Sequence, residues 1–215
     1  MNRETLQQQL QQGMQQLELA ASPQQVQQLL DYLLLLQKWN KAYNLTAIRE
    51  PDAMVTRHLL DSLALLPHIG DQGLLDVGSG AGLPGIPLAI MKPGLAVDSL
   101  DSNGKKIRFQ FQVKTALGLD NLSLHQHRVE AYQPASLSRQ LVSRAFASLK
   151  DFLGWTDHLA AADARWFAMK GQFPVQELEE LPKKFTLEAS HPLVIPGVEE
   201  QRHLLLLKRV EAGSR

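Results

Sequence analysis

Residues 76–82 read Asp-Val-Gly-Ser-Gly-Ala-Gly, and a second acid, Asp101, stands 23 residues after Gly78. Glycine lacks Cβ, so such a stretch can turn tightly and let a ligand approach the backbone. The loop follows the apolar run Leu74-Leu75-Asp76-Val77 and precedes a helix starting near Pro84. That helix start offers unpaired N–H groups. Asp101 closes the next apolar run, Leu95 to Leu100, where a carboxylate can accept from both hydroxyls of a ribose. A ligand-free turn needs neither three alternating glycines nor a spaced acid. A nicotinamide or flavin dinucleotide loop needs glycine at positions one, three and six, and here those hold Gly78, Gly80 and Leu83, so the third fails. An S-adenosylmethionine loop has the pattern acid-x-Gly-x-Gly-x-Gly, which Asp76, Gly78, Gly80 and Gly82 match at every place. That ligand carries an ammonium and no pyrophosphate, which suits an acid such as Asp76.

Alternating elements must hold this loop. After Gly70, short apolar runs at 74–77, 95–100, 122–125, 141–143 and 166–169 read as strands. Helical stretches at 105–117, near 148–161 and at 174–181 separate or follow them. On the first of these helices Ile107 and Phe111, with Lys114 or Thr115, are expected on one side. The alternation predicts an α/β, mostly parallel sheet. Runs at 185–189 and 204–208, separated by the turn-rich 192–197, predict two closely paired strands. Upstream, Ser22, Pro23 and Gln25 form a capping-box start for a helix running to about Trp39, with Val26, Leu29, Leu30 and Leu33 on its buried side. Residues 43–46 read as a connector. Asp52 is expected to cap a further helix with a buried stripe of Val55, His58 or Leu59, Ser62 or Leu63, and Leu66, ended by Pro67. Twelve of the first 37 residues are Gln, and residues 1–20 read as a solvated, helix-compatible tail.

The chain has 215 residues with 22 basic and 22 acidic side chains and no Cys. A length of this order buries roughly 70% of the unfolded surface, enough for a self-sufficient core. Without Cys there is no disulfide, in keeping with a reducing compartment. The N-terminus lacks the apolar stretch of a signal peptide. No apolar run approaches the ~20 residues of a membrane span. A cytoplasmic protein without membrane association is expected. Zero net charge means that any nucleic-acid binding must come from a local patch. The seven His show no metal-ligand spacing with acids, so no metal site is expected.

Residues 39–46 (WNKAYNLT), 57–62 (RHLLDS), 76–87 (DVGSGAGLPGIP), Asp101-Ser102 with Lys105-Lys106, 143–148 (SRAFAS) and 169–171 (MKG) together resemble the bacterial small-subunit rRNA guanine-N7 methyltransferases, also called the glucose-inhibited division protein B family. The resemblance covers about residues 22–210. Leu83 and Ile86 stand where other large apolar residues also occur, and Met169 replaces a common Leu. The resemblance implies a Rossmann-like, S-adenosylmethionine-dependent methyltransferase: a seven-stranded, mostly parallel sheet with a reversed last strand, plus N-terminal helices. It implies a monomer that methylates N7 of one guanosine in small-subunit (16S) rRNA, with naked rRNA or the assembled small ribosomal subunit as partner. The chain then divides into a Gln-rich segment over 1–21, a helical extension over 22–69 and a methyltransferase domain over 70–215. Carried over by motif, the cofactor contacts are Gly78, Leu83, Val129, Glu130 and Arg144, beside Gly80, Gly82 and Asp101 from the loop reading.

Guanine N7 has a free lone pair and no proton, so no general base is required and no catalytic residue is named. His58 and Asp61, spaced i, i+3, read as a helix-surface or docking pair rather than a catalytic one. Trp39 and Tyr43 read as core or connector anchors. Lys105, Lys106, Arg108 and Lys114 fall in a run without acids, and Arg128, Arg139, Arg144 and Lys150 meet only Glu130. Lys105, Lys106, Arg108, Arg144 and Lys170 are the candidates for RNA contact, because they follow strand ends where a substrate must arrive. Two other classes stay open: a non-catalytic nucleotide-binding interaction protein and an NAD-linked oxidoreductase.

Overall fold

The structure is a computed structural model that describes residues 2–144, 146 and 148–210. Ala145 and Ala147 of the 143–148 motif lie outside the described residues. At its centre is a seven-stranded sheet: β1 (Leu74–Val77), β2 (Val97–Leu100), β3 (Leu122–His125), β4 (Ser138–Ser143), β5 (Ala160–Lys170), β6 (Phe185–Pro192) and β7 (His203–Arg209). The spatial order is β3-β2-β1-β4-β5-β7-β6. Strands β1 to β5 pair in parallel, and β7 runs antiparallel to both its neighbours. The reversed last strand therefore stands as the resemblance implies. The strand order reverses between β1 and β4, and the crevice beyond their carboxyl ends is where such sheets bind ligands. Strand β5 runs well beyond 166–169, because Asp163 and Arg165 sit on exposed positions, where Arg165 pairs with Glu188 of β6 at 2.5 Å.

Two-residue periodicity divides the core between the sheet faces. Leu74, Val97, Val142, Phe167 and Leu204 face one layer, while Leu75, Leu100, Leu141, Trp166 and Leu205 face the other. The second layer is α7 (Leu149–Thr156), followed in sequence by the short α8 (Val175–Glu179), which contributes Leu178 at the edge of that core. The first is thicker. It holds α5 (Gly85–Met91) and α6 (Gly104–Leu117), and over them the N-terminal helices α1 (Arg3–Gln16), α2 (Pro23–Tyr43), α3 (Pro51–Met54) and α4 (Asp61–Leu63). Between α3 and α4 the helix widens into a π-helical turn, Val55–Leu60. No helix among the described residues is long and apolar enough to cross a membrane.

The N-terminal expectations fare unevenly. Ser22 and Gln25 form the reciprocal capping box, and α2 runs on to Tyr43, ended by Asn44 in the left-handed conformation. The first twenty residues are not a solvated tail. Leu6, Leu10 and Met14, spaced i, i+4, i+8, are buried along α1. Burying each contributes roughly 1.5–3 kcal/mol, which outweighs the polarity of the surrounding Gln. A Cβ on Gly13 would fall 2.2 Å from Leu60, so α1 sits directly on the π-helical turn. Asp52 does not cap its helix. Pro51 starts the helix and Glu50 precedes it without a side-chain bond. The face of α6 also differs from expectation: Phe109, Gln110 and Val113 are buried, whereas Phe111 is 63% exposed. Ile107/Phe111 and Phe109/Val113 are both apolar i, i+4 pairs, and packing beneath α2 selects the second.

Candidate functional site

The loop after β1 turns through three positive φ angles, at Gly78 (68°), Gly80 (60°) and Gly82 (87°). Their reasons differ. A Cβ on Gly80 would have only the Lys106 ammonium at 3.8 Å and the Gly78 carbonyl at 3.9 Å nearby, so the space there is open. A Cβ on Gly82 would fall 2.3 Å from Ile86. Gly82 is thus required by packing of the turn against α5, and Gly80 presents backbone to an opening.

Buried polar groups hold the loop from below. Asp101, at the end of β2, accepts at 2.8 Å from the Gly80 N–H and at 2.8 Å from the Asn103 N–H. Its carboxylate is therefore part of the loop's own scaffold as well as a wall of the site. Gln110 donates to the Gly80 carbonyl and to Ser79 Oγ, both at 2.9 Å, and accepts from Ser99 Oγ at 2.6 Å. From the opposite side, the buried Tyr32 hydroxyl of α2 donates to the Ala81 carbonyl at 2.9 Å. Asp76 lies sealed beneath the loop: Oδ2 accepts from the Gly85 N–H at 2.8 Å, while Oδ1 is buried without a partner. Burial pushes its pKa up to about 7, against the opposing pull of the Gly85 N–H and Arg144.

Two cavities meet at Gly78 and Lys106. One, of about 340 Å³, lies between Asp101-Ser102, the Arg128–Glu130 turn and Phe146. Val129 and the exposed Glu130 line it. The other, of about 430 Å³, runs from Gly80 and Leu83 to Arg144, Met169 and Lys170. A cleft of about 770 Å³ continues from Arg144, Met169 and Lys170 toward α8.

The basic candidates separate in space. Lys105 and Arg108 are exposed on α6. Lys106 instead points to the glycine loop, its ammonium 3.9 Å from Asp101 Oδ2. Lys170 is mostly buried and donates to both Glu177 carboxylate oxygens at 2.8 and 3.0 Å. Arg144 donates from Nη1 to Asp61 Oδ2 at 2.9 Å. Trp39 packs on Phe109 and Tyr43 at ring distances of 5.7 and 5.2 Å, an anchor as expected.

His58 and Asp61 do not pair with each other. His58 Nδ1 faces the Arg57 carbonyl at 3.1 Å and so carries the proton; Nε2 then accepts from Thr46 Oγ1 at 2.9 Å. Burial, aided by the Arg144 charge, pulls the imidazole down to about 4, so it is neutral near pH 7. Thr46 is placed by Asn40, whose side chain accepts from the Thr46 N–H and donates to the Ile48 carbonyl. The 39–46 motif thus builds a wall of the larger cavity. Arg57 and Arg202, also on that cavity, were not singled out by sequence: Arg57 opens the 57–62 motif without a role assigned to it, and Arg202 stands in no run or motif.

The crystal structure of the glycopeptide N-methyltransferase MtfA complexed with S-adenosylmethionine superposes with a TM-score of 0.61 at 11% identity, over 72% of this chain and 88% of that one. A SAM-dependent methyltransferase from Aquifex aeolicus gives 0.56 at 16%, over 74% and 93%. Both likenesses show the fold. By sequence, the chain is 55% identical over 202 residues to the ribosomal RNA small subunit methyltransferase G of Pseudomonas syringae pv. syringae (strain B728a), covering 94% of each. It is 58% identical over 181 residues to that of Pseudomonas fluorescens (strain Pf0-1), covering 84% of this chain and 85% of the relative. Residues 25–205 match the GidB family, rRNA small subunit methyltransferase G, and with these relatives at more than half identity the chain belongs to that family.

Proposed function

We propose that this protein transfers the methyl group of S-adenosylmethionine to N7 of a guanosine in small-subunit rRNA. The observation that carries the reading is the open backbone at Gly80, flanked by two cavities that join at the switch point of a methyltransferase sheet. The residues fit the cofactor. Asp101, Val129 and Glu130 line the smaller cavity, of a size for an adenosine, where Asp101 would hold the ribose and Glu130 the adenine end. Gly78, Gly80 and Leu83 lead into the larger one, and Gly82 keeps the turn in shape. Bound there, S-adenosylmethionine supplies an electrophilic methyl group. Guanine N7 brings a lone pair and no proton, so the protein needs no base; its task is alignment and exclusion of water. The buried bonds from Asp101, Gln110 and Tyr32 fix the loop before any ligand arrives. Leu83 and Met169 give the larger cavity apolar lining. His58, neutral and engaged on both ring nitrogens, is a wall and not a proton carrier.

The RNA is expected at the larger cavity and its basic rim, with Lys105 and Arg108 as outlying phosphate contacts and Lys106 on the cofactor side. The test is transfer of labelled methyl groups to small subunits from cells lacking the protein, with the label mapped on 16S rRNA. Label at N7 of one guanosine is expected. Label on protein, on another base atom or nowhere would overturn the reading.

A further inference from the structure

Asp61 occupies an unusual place in the molecule. It follows the π-helical turn, lies on the larger cavity, and is almost sealed, its side chain only 7% exposed. Its carboxylate is shared between two guanidiniums from distant parts of the chain. Oδ2 accepts from Arg144 after β4 at 2.9 Å, and Oδ1 accepts from Arg202 just before β7 at 3.1 Å. Three elements, separated by 83 and 141 residues in sequence, converge on one side chain.

One carboxylate faces two guanidiniums, and Glu200 lies within electrostatic reach of both Arg57 and Arg202; counting Arg57, Arg144 and Arg202 against Asp61 and Glu200, the rim keeps one positive charge in excess. Nearby basic groups have partners of their own: Arg57 bonds Glu200 at 2.6 Å and Lys170 bonds Glu177. His58 adds no charge. Leaving a positive charge uncompensated in a half-closed cavity is unfavourable unless an anion completes it. Arg144 commits one N–H to Asp61; Arg202 commits one to Asp61 and one to the Gln201 carbonyl. Each keeps further donors in its planar fork, the geometry that grips anionic oxygens.

We propose that Asp61 is a positioning residue, which holds Arg144 and Arg202 at a set spacing to grip a backbone phosphate of the substrate RNA beside the reacting guanosine. This rests on the proposed rRNA methylation. The cofactor's own carboxylate is the competing anion, since the motif carries Arg144 over as a cofactor contact and both arginines line the larger cavity with Gly78 and Gly80; the cofactor-affinity arm of the experiment separates the two. The π-helical turn acts through Asp61: by widening the helix it turns the carboxylate into the cavity between the two arginines.

The experiment compares wild type, Asp61→Asn, Arg202→Gln, Arg202→Lys and the Asp61→Asn/Arg202→Gln double variant. It reads the Kd for S-adenosylhomocysteine by calorimetry, then kcat and KM on small subunits across a salt series. Asp61→Asn should lower kcat about tenfold or more without raising KM, because the charge of the arginines remains while their geometry is lost. Arg202→Gln should raise KM and flatten the log–log salt slope by about one unit. Arg202→Lys should keep the slope yet lower kcat, and in the double variant Asp61→Asn should cost less than it does alone. Cofactor affinity should stay within about twofold throughout. The proposal is overturned by cofactor affinity that falls with Asp61→Asn, by additive effects in the double variant, or by Arg202→Lys indistinguishable from wild type. Should Asp61→Asn not fold, the two Arg202 variants still decide. Wild-type protein that methylates no subunit RNA overturns the functional reading instead, whereas methylation by wild type and Asp61→Asn alike overturns only this one.

Discussion

The two ends of the site are built from different materials. The glycine loop is gripped from both sides by buried, mostly uncharged groups: Tyr32 on Ala81, Gln110 on Gly80 and Ser79, and the nearly buried Asp101 on Gly80. The rim of the larger cavity is held by ion pairs: the partly exposed Arg144 and Arg202 on the nearly sealed Asp61, and the more exposed Arg57 on Glu200. Buried hydrogen bonds are costly to leave unmade and insensitive to salt. Arginines that keep access to water and spare donors can take up a further anion beside the first. The cofactor end is therefore set in advance, and the substrate end keeps donors for an arriving anion.

The sharpest way to break this contrast lies within the loop. Gly82→Val should destabilise the fold by about 3–5 kcal/mol, from a left-handed residue and a collision with Ile86. Gly80→Val should cost only about 1–2 kcal/mol of stability yet weaken S-adenosylhomocysteine binding by about a hundredfold or more. Urea unfolding and calorimetry on the same two proteins separate the effects. Normal binding by Gly80→Val would mean that the opening above it is not the cofactor's.

A middle-sized effect concerns acid beneath the loop. The folded-state pKa of Asp76 lies at about 7, above its ordinary 3.8. The protonated form is favoured on folding, so the stability linked to it is fully present below pH 3.8 and is lost as pH rises through about 7. Asp76→Asn keeps an acceptor for the Gly85 N–H and removes the titration. Its stability should fall less than that of wild type across this window in urea melts at several pH values. Parallel curves would show that Asp76 does not titrate there.

The smallest effect sharpens the comparison at the rim's outskirts. Lys105→Ala should leave cofactor affinity unchanged and flatten the salt dependence of RNA binding by about one log–log unit or less. Lys106→Ala, beside Asp101, should instead change cofactor affinity. If both behave alike, α6 has one solvated face and no division of labour.

Local signatures explain what could be read ahead of the structure. The capping box at Ser22, the glycine loop and the acid ending β2 each lie within a short window, where geometry follows from residue type. Burial of α1 was legible in the spacing of Leu6, Leu10 and Met14, but the Gln content drew attention away from it. The face of α6 was not legible, because two apolar stripes compete on it and only contact with α2 chooses. Nor were Arg202 and Tyr32. Neither sits in a run or motif, and their partners, Asp61 and Ala81, lie 141 and 49 residues away. The likeness in 57–62 marked Asp61 without revealing what it holds.

The Tyr32 hydroxyl has a consequence for synthesis. Chains emerge from the ribosome N-terminus first, and early segments begin to fold as they appear. Helix α2 leaves long before its seat exists, since its contacts lie on α5 and α6, and Gln28 bonds the carbonyl of Leu117. Until about residue 117 has been made, the helix that carries Val26, Leu29, Leu30 and Leu33 lacks its contacts with α6 and has α1, α3, the π-helical turn and α5 as neighbours. The nascent N-terminal helices must wait as a small, leucine-rich hairpin, and the glycine loop gains its upper clamp only when that hairpin docks. Ligand competence thus waits until α6 has been made and α2 has docked on it.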